Sequence, residues 1–114
     1  VPSNDPDYQR AYYEKNKEKV KRQAAESNRK RRWKHRQMVI EHLRANPCVD
    51  CGESDPVVLE FDHRDPAEKL FCIGGALRQT WSWQKIEDEM AKCDVRCANC
   101  HRRRTAKQRA AGEW

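Results

Sequence analysis

Long apolar runs are missing from this chain. No stretch of its 114 residues is long and hydrophobic enough to span a bilayer, so a membrane-spanning helical protein is excluded. Hydrophobic residues are also scarce, at 37%, below the globular norm. A large apolar core is therefore not expected, and a domain this small needs a staple, either disulfides or a metal. The opening segment VPSNDPDYQR is polar and carries no apolar core of a secretory signal. The expectation is a cytoplasmic chain with reduced thiols, whose six cysteines are metal ligands rather than disulfide partners. Proline and glycine are absent from Asp7 through Asn46, where Lys, Arg, Glu, Gln and Ala dominate. That predicts one long helix over residues 5 to about 45, capped by Asp5 or Asp7 and ended by Asn46-Pro47. No internal repeat is present.

What the chain has in excess is charge, 37% of its residues, and the charge is segregated. Residues 1–46 hold thirteen basic against six acidic side chains, residues 47–100 six against eleven, and residues 101–114 five against one. Two basic arms flank an acidic centre. The arms suit a polyanion and the centre suits a site that collects cations. Solvated helix faces are the bland alternative for the first arm.

The division that follows is a basic helical arm over 1–46 and a small α+β domain over 47–114. Trp33, Val39, Ile40 and Leu43 form a stripe that should pack on the domain, with Trp33 in the core, while the first half of the helix should project. Pro47 to Gly52 is a tight turn, and residues 57–63 read as a strand. Residues 64–80 read as loop, with Pro66, Gly74 and Gly75 as breakers. Ser82 caps a helix whose inner face is Trp83, Ile86, Met90 and Cys93; a short strand at 94–97 and a helix over 99–111, ended by Gly112, complete the chain.

Cys48-x-x-Cys51 and Cys97-x-x-Cys100 are pairs of identical spacing. Each gap lets a turn aim two sulfurs at one point, and two such turns make the tetrahedral sulfur set of a structural Zn2+. Redox thiols are the rival reading, but the βαβ setting of a thioredoxin-like pair is absent. Cys93 reads as a small core residue, and Cys72 has no assignment.

Asp62-His63 ends the first strand, and His101 directly follows Cys100 at the start of a basic helix. If zinc joins the two cysteine turns, Asp62 and His101 can share a second ion, with His63 beside it facing a substrate. A carboxylate and an imidazole with open positions suit Mg2+ or Mn2+ used with a phosphate. The bland reading makes His63 a solvated strand end and His101 a bystander. His35 and His42 have no partner motif and no expected role.

Cys48-x-x-Cys51, LEFDH at 59–63 and VRCANCHRRRT at 95–105 together resemble the HNH endonucleases of ββα-metal fold, most closely the zinc-containing forms frequent in phage and bacterial genomes. The resemblance covers residues 47 to about 109. It implies a ββα-metal domain, His63 as general base, Asp62 and His101 as ligands of the catalytic ion, and products with 5′-phosphate and 3′-hydroxyl ends. In one place the chain departs from the pattern. The family's middle Asn falls about where Lys92, Cys93 and Asp94 stand, and Asn99, inside the second CxxC, is the candidate stand-in.

The implied partner is double-stranded DNA, read with little sequence preference. Arg29, Lys30, Arg31, Arg32 and Lys34 in the first helix, and Arg102, Arg103, Arg104 and Lys107 in the last, are the expected phosphate contacts. A nuclear localisation signal is another formal reading of the first run. Two rival functions remain: a zinc-held DNA-binding module without catalysis, and a silent scaffold in a phage DNA-packaging or other DNA-processing complex.

Overall fold

The computed structural model describes residues 4–112. Helix α1 spans Pro6–Ala45. Its start combines two favourable terms: Pro6 supplies a preset φ at the first helical position, and Asp5 caps, its Oδ1 accepting from the Asp7 N–H at 3.0 Å. Its end is closed by Asn46, whose side-chain Nδ2 donates to the His42 carbonyl at 2.8 Å. The chain divides into two compact units, one running to Arg31 and the other beginning at Arg32. No helix among the described residues is long and apolar enough to cross a membrane.

In the second unit, strand β1 (Leu59–His63) pairs antiparallel with β2 (Cys93–Cys97). The register sets Leu59 opposite Cys97 and His63 opposite Cys93. Residues 57 and 58 do not extend the strand; Pro56–Val58 is a single 3-10 turn capped by Asp55, whose carboxylate accepts from Val57 N–H at 3.0 Å. Helix α2 (Ile73–Ala76) lies in the segment that the sequence marks as loop, and Gly74 and Gly75 sit inside it rather than breaking it. Glycine weakens a helix by about 1 kcal/mol, which burial of Ile73 and Ala76 one turn apart outweighs here. Helix α3 (Trp83–Met90) starts at Ser82, whose Oγ accepts from Lys85 N–H at 3.3 Å. Helix α4 (Ala98–Ala110) follows β2 without a loop and ends before Gly112, which takes φ +74°.

The architecture is α+β: a two-stranded sheet surrounded by helices, with a four-cysteine cluster. The core is small, as the composition demands. Val39 and Leu43 of α1, Leu59, Val95, Ile73, Ala76, Ile86 and Met90 close it, joined by Cys48, Cys97 and Cys100. Trp33 is not part of it and remains 60% exposed. The buried stripe of α1 is His35, Val39 and Leu43, at steps of four; Trp33 precedes Ile40 by seven residues and lies on that flank instead. The helix histidines are packing residues: His35 sits 5.6 Å from the Trp83 ring, and His42 stacks on Phe61 at 5.6 Å.

Candidate metal centre and hydrolytic site

Two turns and a strand end build the sulfur cluster. Gly52, at φ +78°, reverses the chain after Cys51, and the Gly52 N–H donates to the Cys48 carbonyl at 2.9 Å. Val49 N–H donates to the Val95 carbonyl at 3.0 Å, fastening this turn beside β2. Cys97 closes β2 and caps α4, its sulfur accepting from the Cys100 N–H at 3.5 Å. The sulfurs of Cys48, Cys51, Cys97 and Cys100 all lie within 4.8 Å of one another, and those of Cys51 and Cys97 are 3.7 Å apart. A tetrahedral ion with ~2.3 Å bonds to sulfur separates its ligands by roughly 3.8 Å. The cluster therefore fits a structural metal such as zinc.

Its electrostatics agree with that fit. Burial raises the Cys48 thiol pKa, but backbone N–H groups of Cys97, Cys51 and Asp50 aimed at the sulfur outweigh it and bring it down to about 6. The Cys100 thiol is pushed up to about 12, first by the neighbouring Cys97 sulfur, then by burial. Four crowded sulfurs oppose one another's ionisation, and a bound dication removes that opposition.

Three acidic residues of the central segment share one face of the sheet. Strand alternation puts Glu60 and Asp62 on that face with Asp94 and Arg96 across the ladder. Asp62 is buried, at 5% exposure. Its Oδ2 accepts from Arg96 Nη1 at 3.0 Å, and its Oδ1 from Arg104 Nη1 at 2.9 Å. Arg96 also donates to Asp50 at 2.8 Å; burial opposes its charge, but Asp50 and Asp62 raise its pKa above the ordinary value.

His101, on the first turn of α4, reaches back over this face. Its Nδ1 meets Glu60 Oε1 at 2.8 Å, and its Nε2 lies 3.4 Å from Asp62 Oδ1. With Nδ1–H donating a hydrogen bond to Glu60, the neutral ring carries a lone pair on Nε2 toward a second lone-pair atom. That arrangement is poor as a hydrogen bond but apt for two donors to one cation, since neighbouring ligands at ~2.1 Å bonds lie about 3 Å apart. Asp62 and His101 are thus the pair on this face that could hold a divalent ion, although Arg104 already donates to the same carboxylate oxygen.

His63 alternates to the opposite side of the strand and meets Glu89 of α3, Nε2 to Oε2 at 2.7 Å. A cavity of about 520 Å3 at the strand end nevertheless takes in His63, Asp62 and His101 together, with Phe61, Leu77 and Thr105 in its wall. All three residues picked from sequence line this cavity, although Asp62 and His63 project from opposite sides of β1. Asn99 does not join them: it is exposed on α4, its side chain makes no hydrogen bond among the described residues, and the cap of α4 is Cys97. Glu89 is the residue that sequence reasoning missed. It is one of eleven acidic residues in the acidic centre, on a helix whose apolar positions draw the eye. The available signal was its place one step before Met90 on the buried side of a short amphipathic helix.

The expected DNA contacts divide. Arg102, Arg103 and Lys107 are exposed on α4. Arg104 turns inward instead and donates to Asp62, to the His63 carbonyl at 3.1 Å and to the Arg64 carbonyl at 2.8 Å. Arg29, Lys30, Arg31 and Lys34 are exposed and Arg32 partly so; Lys30 pairs with Glu26 at 3.6 Å. Compared with protein families, with curated proteins and with solved structures, the chain matches none.

Proposed function

We propose that the protein is a metal-dependent DNA endonuclease of the HNH type that hydrolyses phosphodiester bonds. The supporting observation is that Asp62 Oδ1 and His101 Nε2 face each other at 3.4 Å on a cavity that His63 also lines. A divalent ion, Mg2+ or Mn2+, held by Asp62 and His101 would supply Lewis-acid neutralisation of the phosphate and of the departing oxygen. His63 acts as general base: a water proton passes to its ring, and the electron pair left on that oxygen forms the new bond to phosphorus. The bond to the 3′ oxygen breaks with its pair, and solvent returns a proton to it. Arg102, Arg103 and Lys107 hold the flanking phosphates of double-stranded DNA, and the exposed cations of α1 are a separate run that binds phosphates without reading bases. The zinc-filled sulfur cluster fixes where α4 begins, and so where His101 sits.

One observation favours a second reading, a zinc-held DNA-binding module without catalysis. Both oxygens of Asp62 already carry a guanidinium. Supercoiled plasmid incubated with Mg2+ or Mn2+, against an EDTA control, decides between the two. The endonuclease produces nicked or linear DNA only with the ion. His63→Ala should bind zinc and DNA normally yet lose about 10² to 10⁴ in rate. DNA that stays intact in every metal, while still shifting in a gel, would establish the binding module.

A further inference from the structure

We infer that Glu89 is the positioning residue for His63, the role for which the sequence offers Asn99; the inference rests on the hydrolytic reading above. Glu89 is 1% exposed, and its carboxylate is fully engaged. Oε2 accepts from Leu70 N–H at 3.0 Å and meets His63 Nε2 at 2.7 Å, while Oε1 accepts from Lys92 Nζ at 2.9 Å. Burial pushes the carboxyl pKa up, but Lys92, the Leu70 N–H and His63 together hold it down at about 2. It is therefore an ionised acceptor with no proton to give.

The tautomer of His63 follows from that. The partner at Nε2 can only accept, so Nε2 must donate, and the neutral ring carries its proton there. Nδ1 keeps the lone pair, and no protein group bonds it among the described residues. The nitrogen that takes the water proton is thus Nδ1. Glu89 also opposes rotation of the ring, and its own carboxylate is held from two other directions. Lys92 stands about where the family pattern has its Asn, and its ammonium reaches both Glu89 and the Glu68 carbonyl at 3.1 Å. Glu89 lies three residues before Lys92, inside α3. A purely structural role for Glu89, tying the segment around Leu70 to α3, predicts loss of fold but no particular ring tautomer.

The test uses the full-length, zinc-loaded chain in two measurements. Long-range 15N–1H correlation of the histidine rings at alkaline pH reads the tautomer. Wild type should show His63 protonated at Nε2, and Glu89→Gln should lose that single form. On a duplex substrate with Mn2+, Glu89→Gln should lower kcat by about 10- to 100-fold with KM unchanged. A wild-type His63 protonated at Nδ1 overturns the inference, and needs no variant that might misfold. So does a folded, zinc-bound Glu89→Gln with wild-type kcat. A wild-type protein that cuts no DNA defeats the hydrolytic reading and the positioning role with it, while the spectrum still reports whether Glu89 fixes the ring.

Discussion

Stripping the metal from the sulfur cluster should unfold the second unit, and the size of the effect follows from the chain geometry. Cys51 and Cys97 lie 46 residues apart in sequence, and their sulfurs are 3.7 Å apart in space. A cross-link closing a loop of that length removes about 4 kcal/mol of unfolded-state entropy, on the chain-entropy relation used for disulfides. Whole domains are stable by only ~5–15 kcal/mol, and this core is small, so that term alone is a large share of the total. The thiol side works in the same direction. Without a cation, Cys100 is pushed up to about 12, and the four sulfurs cannot ionise together. The assay must not rely on far-ultraviolet dichroism, because α1 is rich in helix-forming residues and contributes a helical signal of its own. Near-ultraviolet dichroism is suitable, since the Trp81 ring meets Phe71 edge-on at 4.7 Å. Zinc released to a colorimetric chelator should match the loss of that signal, and Cys97→Ala should reproduce it. Metal-free protein, verified by elemental analysis, that melts at the same temperature as the zinc-loaded form would refute the reasoning.

Three further outcomes are expected. The Glu89 carboxyl is held at about 2 in the folded chain against an ordinary 4.5, so the unfolded chain binds the extra proton between those values. Its contribution, at most roughly 3 kcal/mol, is complete above pH 4.5 and is lost as pH falls toward 2; denaturant titrations should show a steeper acid limb for wild type than for Glu89→Gln. DNA affinity should fall steeply with salt, and Arg103→Ala or Lys107→Ala should each reduce the log–log slope by about 0.9, whereas Arg104→Ala should act mainly on stability because its guanidinium faces inward. Ile86 is fully buried, and Ile86→Ala should cost about 2–5 kcal/mol by chemical denaturation.

The cysteine pairs were the most legible part of the chain, because ligand spacing is a local property that sequence records directly. Helices α1, α3 and α4 were nearly as clear, since Asp5, Ser82 and Gly112 signal their own positions through capping chemistry. Helix α2 was not legible: its four residues are stabilised by burying Ile73 and Ala76 against distant elements, and local propensity argues against it. Trp33 shows the same limit from the other side. Hydrophobicity alone placed it inside, but the phase of α1 is set by His35, Val39 and Leu43. At the candidate site, Asp62, His63 and His101 were named by motif, but their partners were not. Glu89, Arg96 and Arg104 reach the site through packing between elements far apart in sequence, which no spacing rule records.

Cys97 occupies three positions at once: the last rung of the ladder, the cap of a helix and a corner of the sulfur cluster. One helical turn later, His101 stands over Asp62. The sulfur cluster and the imidazole–carboxylate pair therefore share one anchor, and any displacement of the Cys97 sulfur is passed along a single helical turn to the gap between His101 and Asp62.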